Sequence, residues 1–570
     1  MPHALTMPAP GFQAVILCGP GVSFDTFTSK PEESPKALIP IANRPMIWYP
    51  LDFCYRMGVT NITLISPPAS TPAITVALNT NPHLTTLPSP KPNLLAPEGL
   101  DQTTGTAQIF RIPEVRAAIT GDFIVLPCDL LCEIGGEALL EAWMIKEAAL
   151  GGATGGDDDI TSPKAAMSGE SNGRRGGIGV WYSTKADVSV KGEETDFIAT
   201  SPLETGVVPS PKGSLLPDFS NLVYSLPTDT LNDITDEKKS LPLRHSLMRR
   251  HPRLRMLTTH RDAHLYIFPA WVLDMINSNE HMENISEDVI GWWAKAGWQH
   301  GLGNKLGLSD ILGRARGTGS DDGNGVNGFS VGKDSNIESL STTWTSNSLY
   351  DSQNISGMGK DASPISADLA VPPILAYVHP QREGSLLIRR VDTTPLLLSI
   401  SLQLAKLESV EQVGRAASSP FSHMSKVAYP AGIASKCTVT RPDCLLGDNV
   451  TVEEKSAIKE CVIGANCQIQ QGAKLTRCVL MDGVVVGKGC KISGSILGRR
   501  SEIGDESILQ DCEVEDNMRI EPKTEAKNEK FKSSEGLEAT EEELQDAFAG
   551  EGTTIGRAGV NEGVIESPST

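Results

Sequence analysis

The last third of the chain carries a period that few folds tolerate. Stepping by 17 residues from Leu446 reaches Ile463, Leu480 and Leu497. The same step from Val452 reaches Ile469, Val486 and Ile503, and from Ile458 it reaches Leu475, Ile492 and Leu509. All of these positions are aliphatic, in three columns six, six and five residues apart. The first two columns continue to Val514 and Ile520. Four residues after those columns come small or modest side chains: Val450, Cys467, Val484 and Ser501, then Ser456, Ala473, Cys490 and Ser507. Glycine follows many of the aliphatics, at Gly447, Gly464, Gly487, Gly498 and Gly504. Neither a heptad nor a 3.6-residue helical repeat fits this spacing. The pattern is a hexapeptide repeat with three faces per coil, the grammar of a parallel β-helix. One coil cannot bury its inward face alone, but stacked coils can.

The same register accounts for several cysteines. Cys444, Cys461, Cys478 and Cys512 are 17 residues apart or a multiple of it, with Ser495 at the missing step. A zinc site wants ligands at tighter spacing, so these read as a packed column of thiols. Cys128 and Cys132 do have tight spacing, but no second pair accompanies them, and they are expected in the core. The eleven cysteines in all read as reduced thiols of the cytosol. MPHALTMPAPGF carries neither the basic nor the apolar region of a signal peptide. No apolar run reaches the ~18 residues of a membrane span.

Residues 12–150 alternate strand-like and helix-like stretches. FQAVILC precedes the apolar PMIWYPLDFCYRMG, VTNITLIS follows, and DFIVLPCDLL precedes EALLEAWMIKEAAL. Such alternation predicts a parallel α/β sheet with crossover helices. GIGVWYS (177–183) resumes the sheet, AHLYIFPAWVLDMI (263–276) reads as strand, turn and helix, and 374–407 reads as two strands and a helix. The α/β domain is expected over 12–425, with disordered inserts at 151–176 and 314–370, and the β-helix over 430–520. The segment 521–570 holds 12 acidic and 5 basic residues and reads as a solvated, disordered tail; EEELQDAFAG (541–550) within it has the makings of a short partner-binding helix. A net charge of −20 argues against a nucleic-acid-binding surface over the whole chain. Against that background Arg244, Arg249, Arg250, Arg253 and Arg255 form a basic cluster suited to an acidic partner face or RNA.

Candidate chemistry lies near the N-terminus. A nucleotidyl transferase needs a glycine turn whose amides cradle phosphates, cations that neutralise them and a carboxylate for Mg²⁺. Gly19 and Gly21 supply such a turn, although Pro20 between them has no amide hydrogen. Lys36 is a candidate phosphate-binding cation. Asp129 ends the strand FIVLPCD, where α/β folds place ligand groups. Gly105 and Thr106 form a small-residue turn that a base or sugar could approach.

AVIL-x-G-x-G, SPKALIPIANRPMIWY, GTA, a strand ending in CD and then hexapeptide coils resemble, in that order, the nucleotide-sugar pyrophosphorylase family. The resemblance covers about 12–150 and 430–520 well and 177–410 in pieces. It implies a Rossmann-like nucleotidyl-transferase domain joined to a left-handed β-helix. Members that turn over carry G-G-x-G-T-R in the loop. This chain reads Gly19-Pro20-Gly21-Val22-Ser23-Phe24 and lacks the arginine. By analogy with arginine fingers, losing such a charge costs on the order of 10³–10⁵ in rate. The expectation is therefore a retained fold with no catalytic residues, no metal and no cofactor. Residual nucleotide contacts would come from Gly19, Gly21, Lys36, Gly105, Thr106 and Asp129.

LPLRHSLMRRHPRLRM and RDAHLYIFPAWVLDMI (241–276), with FIVLPCDLL, are similar to the gamma-type subunits of eukaryotic translation initiation factor 2B. That resemblance implies a non-catalytic subunit that pairs with epsilon and the other subunits. It implies docking of initiation factor 2 for GDP/GTP exchange in the cytosol, with neither DNA nor membrane as partner. The 50 residues after 520 hold no run fit for the catalytic helical domain that distinguishes epsilon. The competing expectations are a GDP-mannose-type pyrophosphorylase and a sensor subunit bound to one.

Overall fold

In the computed structural model the description covers residues 11–19, 23–101, 103–147, 176–185, 190, 192–203, 214–241, 243–314, 371–381 and 385–533. Almost all of the two expected inserts and the chain beyond 533 lie outside these residues.

The N-terminal domain is built on one nine-stranded sheet. Its strands are β1 (Gln13–Leu17), β2 (Asn61–Ile65), β3 (Asn93–Leu95), β4 (Phe123–Pro127), β6 (Gly177–Ser183), β7 (Asp196–Pro202), β8 (Phe219–Pro227), β9 (Arg255–Phe268) and β10 (Ile374–Val378). Two short strands, β5 (Leu130–Cys132) and β11 (Ile388–Arg390), pair separately. The order across the large sheet is β3-β2-β1-β4-β9-β6-β10-β8-β7. The first four strands are parallel, as the alternation predicts. The rest is mixed: β10 is parallel to β6, but β9 runs antiparallel to β4 and β6, and β8 antiparallel to β10 and β7. An antiparallel neighbour needs no crossover helix, so helix–strand alternation weakens in this half of the sequence. β9 is also bulged between Asp262 and Tyr266, where His264 takes φ 51°.

Helices cover the sheet as the apolar runs demand. α1 (Trp48–Arg56), α2 (Gly136–Glu147), α3 (His245–Arg250), α4 (Trp271–Ser278), α5 (Ile290–Ala296) and α6 (Thr394–Lys406) are among them. Val15, Phe123, Tyr266 and Phe268 face one apolar layer with Trp271 and Trp293, while Ala14, Ile16, Ile124 and Leu126 face the other with Tyr49 and Leu397. This is the alternation a strand buried on both faces must show.

The C-terminal domain is a prism of three parallel sheets of six, six and five strands. Leu446 pairs with Ile463, then Leu480, Leu497, Val514 and Phe531, one per coil. Each corner needs one residue in the left-handed region. Asn449, Asn466, Arg500 and Asn517 fill one corner column with φ of 55–60°, and Gly483 fills the remaining step with φ 75°. Cys444, Cys461, Cys478, Ser495 and Cys512 form the expected inward column. Each of the last four donates to the carbonyl two residues before it, at 3.0–3.2 Å, so serine replaces cysteine at one step without losing the bond. All eleven cysteines are unpaired thiols. Cys128 and Cys132 are core residues. The coils run past 520 through Glu525–Lys527 and Lys530–Phe531, so the first residues of the segment read as tail belong to the prism. Among the described residues, no helix is long and apolar enough to cross a membrane.

The two domains share a core. Leu445, Val462, Val479 and Ile496, on the outer face of the prism, join the cluster that contains Leu397, Ile400 and Leu404 of α6. Ala42 and Asn43, both at positive φ, turn the Pro40–Pro45 hairpin, and Asn43 donates to the carbonyl of Ile463 at 2.8 Å. Much of PKALIPIANRP therefore makes the domain junction.

Leu480 is fully buried in the prism and stacked between two coils. Leu480→Ala should destabilise by ~2–5 kcal/mol, as buried leucine truncations do. Gln468→Ala on the outer surface should leave the denaturant midpoint nearly unchanged.

Candidate functional site: an ion-paired pocket at the strand ends

Lys36 starts a short turn of helix after Pro35, and Asp129 follows the end of β4. The structure brings them together: Lys36 Nζ lies 2.8 Å from Asp129 Oδ2. A second cation, absent from the sequence-based site, completes the contact. Arg390 of β11 reaches Asp129 Oδ1 with Nε at 3.3 Å and Oδ2 with Nη2 at 3.4 Å. Asp129 is 1% exposed. Burial alone would raise its carboxyl, but Arg390 and Lys36 outweigh that and hold it well below the usual carboxylate range. Lys36 is desolvated too, yet the Asp129 charge raises it above an ordinary lysine. Arg390 also meets Nε2 of His264 at 3.3 Å. Burial, then Arg390, keep that imidazole neutral, so its nitrogen accepts the guanidinium hydrogen.

A further set of buried charges supports Arg390. Arg389 pairs with Glu193 at 3.1 Å, and Arg261 of β9 pairs with Asp392 at 2.5 Å. Asp262 accepts from the His264 amide at 2.8 Å and from the Tyr266 hydroxyl at 2.5 Å. Burial, then the neighbouring Asp196, push its carboxyl up to about 7. Arg261, Asp262, Arg389 and Arg390 were missed from sequence. Their signal was charge inside apolar strands, in HRDAHLYIF and LLIRRV.

A cavity of about 220 Å³ lies beside the Asp129 cluster, lined by Gly19, Ser23, Lys36, Thr106, His264 and Arg390 among others. Gly19 has φ 114°, a conformation glycine adopts at little cost. Gly21, with Pro20 and Val22, lies outside the described residues. Gly105 does not line the cavity. A Cβ there would fall 2.4 Å from the carbonyl oxygen of Glu283, so the backbone it admits is the chain's own. Ala107 N donates to that same carbonyl at 2.8 Å, and Ile285 N donates to Thr106 Oγ1 at 2.9 Å.

The residue set does not fit a magnesium ion. Both oxygens of Asp129 are held by cations, and no other carboxylate lines the cavity among the described residues. The volume also falls below the ~300–1,000 Å³ of ordinary ligand pockets. The loop after the glycine turn is engaged elsewhere. Thr26 donates to Glu513 at 2.7 Å, Ser34 donates to Asp516 at 2.5 Å, Ser29 bonds Glu515, and Lys532 pairs with Asp25 at 2.6 Å. All four contacts are to the last coils of the prism.

Residues 428–526 match the family model described as the EIF2B subunit epsilon LbH domain, LbH being the left-handed β-helix. The chain is also similar to translation initiation factor eIF2B subunit gamma of Schizosaccharomyces pombe, 25% identical over 291 residues. Both matches fall on subunits of eIF2B. The second covers 50% of this chain and 52% of that protein, so the chain spans about half the length of this curated relative. The C-terminal prism is thus a left-handed β-helix following an α/β domain.

Asp129→Asn would leave Lys36 buried without a counter-charge and Arg390 with Asp392 alone, and should destabilise by ~3–5 kcal/mol in denaturant unfolding. An unfolded aspartate titrates near 3.9. Because the folded value of Asp129 is depressed, its stabilisation is complete above about pH 4 and drains as pH falls below it. The acid limb of the stability curve should be shallower in the variant. Asp262 has the opposite sign. Its folded value is raised, so its contribution declines from about pH 4 to about 7 and is flat above. Asp262→Asn should remove that decline.

Proposed function

We propose that this chain is a gamma-type subunit of the eIF2B exchange complex, in which a nucleotidyl-transferase-like domain serves as a scaffold without catalysis of its own. The observation that carries this reading is the Lys36–Asp129–Arg390 cluster. The carboxylate placed to hold a metal is committed to two cations of its own chain. The loop that would cover a triphosphate braces the β-helix instead. The similarity to the gamma subunit of S. pombe supports the choice of subunit, and the β-helix match to the epsilon model fits a fold common to both.

On this reading the partner is the epsilon subunit, joined by the other subunits, and the substrate of the assembly is initiation factor 2 in the cytosol. An exchange factor binds the nucleotide-free GTPase better than the loaded one, a shift of populations. A rigid scaffold contributes by offering contacts that only one of those states can make. The tagged chain, isolated from its own cytosol under native conditions, should carry stoichiometric epsilon subunit and the remaining subunits, with initiation factor 2 in smaller amount. It should release no pyrophosphate from a nucleoside triphosphate and a sugar phosphate in magnesium. Recovery as a homo-oligomer, or magnesium-dependent pyrophosphate release by the purified chain, would overturn the proposal.

A further inference from the structure

A second cavity, of about 690 Å³, opens at the carboxyl ends of β6 and β10, where Ser183 and His379 stand. Crevices at strand carboxyl ends are the usual ligand positions of α/β sheets, and the volume lies within the range of small-molecule pockets. Thr259 and His260 line it from the part of β9 before the bulge, whereas His264, at the bulge, faces the Asp129 cavity. The two cavities are thus separate.

The lining is cationic and rich in hydrogen-bond donors. Arg253 and Arg255 enter from the segment that opens β9, and Thr200 and Ser220 add hydroxyls from β7 and β8. Among the described residues, neither arginine is paired with a carboxylate, although the chain as a whole carries a net charge of −20. Among the described lining residues Asp218 is the one carboxylate, and His260 and His379 are the imidazoles. Burial, with Arg255 adding to it, lowers the His260 imidazole to about 4. An oxyanion here would gain charge-assisted bonds from two guanidinium groups, whose planar forks match phosphate geometry. Arg249 and Arg250 of α3 are exposed and do not line the cavity. The concave, hydroxyl-lined shape favours a small ligand.

We propose that this cavity binds the phosphate group of a small molecule, either free phosphate or a phosphomonoester, through Arg253 and Arg255. Titration calorimetry on the full chain at low salt, with inorganic phosphate in one arm and phenyl phosphate in the other, tests it. Saturable binding should appear, and the double variant Arg253→Gln/Arg255→Gln should lose roughly tenfold or more in affinity, the scale of charged hydrogen bonds. Both arginines are exposed, so the variant should keep the wild-type melting temperature. The ligand should also raise the His260 pKa, read from its ring resonances, because a nearby anion favours imidazolium. Tighter binding of phenyl phosphate assigns the site to a phosphomonoester, and equal binding to phosphate itself. Unchanged affinity in the variant, no shift of His260 at saturation, or binding of a phosphopeptide by a chain that ignores both small anions would overturn the proposal.

Discussion

Asp129 is buried at the end of a central strand, and both of its oxygens face cations that arrive from distant parts of the chain. Lys36 stands 93 residues before it and Arg390 stands 261 after it. Charges out of water attract one another far more strongly than charges in it. They are also costly to desolvate, so such a cluster persists only when each member is satisfied. Here the satisfaction spreads outward. His264 accepts from Arg390, Asp392 lies beside both Arg390 and Arg261, and Glu193 holds Arg389. A divalent cation at Asp129 would have to displace two resident cations and upset this set. Hard cations that part reluctantly with water do not compete well on those terms.

The loop between Gly19 and Lys36 is the other half of the arrangement. Phe24 and Phe27 are buried, and Thr26, Ser29 and Ser34 are spent on carboxylates of the last coils. The hairpin at Ala42–Asn43 grips an early coil at Ile463. Together with the apolar face against α6, these contacts hold the prism at both ends. This segment is an element of domain assembly.

The 17-residue period made the β-helix legible down to individual inward side chains, because a stacked coil repeats the same contact at the same step. It even placed Ser495 in the thiol column, and the structure gives that serine the bond its cysteine neighbours make. The end of the helix was less legible. Glu525–Lys527 and Lys530–Phe531 are mostly polar, and the coil there is held by ladder bonds more than by aliphatic columns. In the α/β domain, Asp129 was visible because it follows a strand end, and Lys36 because a lysine after Pro35 trails the glycine turn. Arg390 was not, since nothing local to LLIRRV says which carboxylate it will meet. Gly105 was misleading for a related reason. Its missing side chain makes room for the backbone of Glu283, which lies 178 residues away along the chain. The mixed half of the sheet was hidden by the same long range, β9 being recruited by β4 and β6 from opposite sides.

The most direct test of this account is calorimetric titration of the purified full chain with a magnesium nucleoside triphosphate at millimolar concentration. If Lys36 and Arg390 already occupy Asp129, there should be no saturable heat that depends on magnesium, and the melting temperature should not move. Saturable, magnesium-dependent binding that Asp129→Asn abolishes would contradict it, and would mean that the ion cluster opens to admit the ligand it is held here to replace.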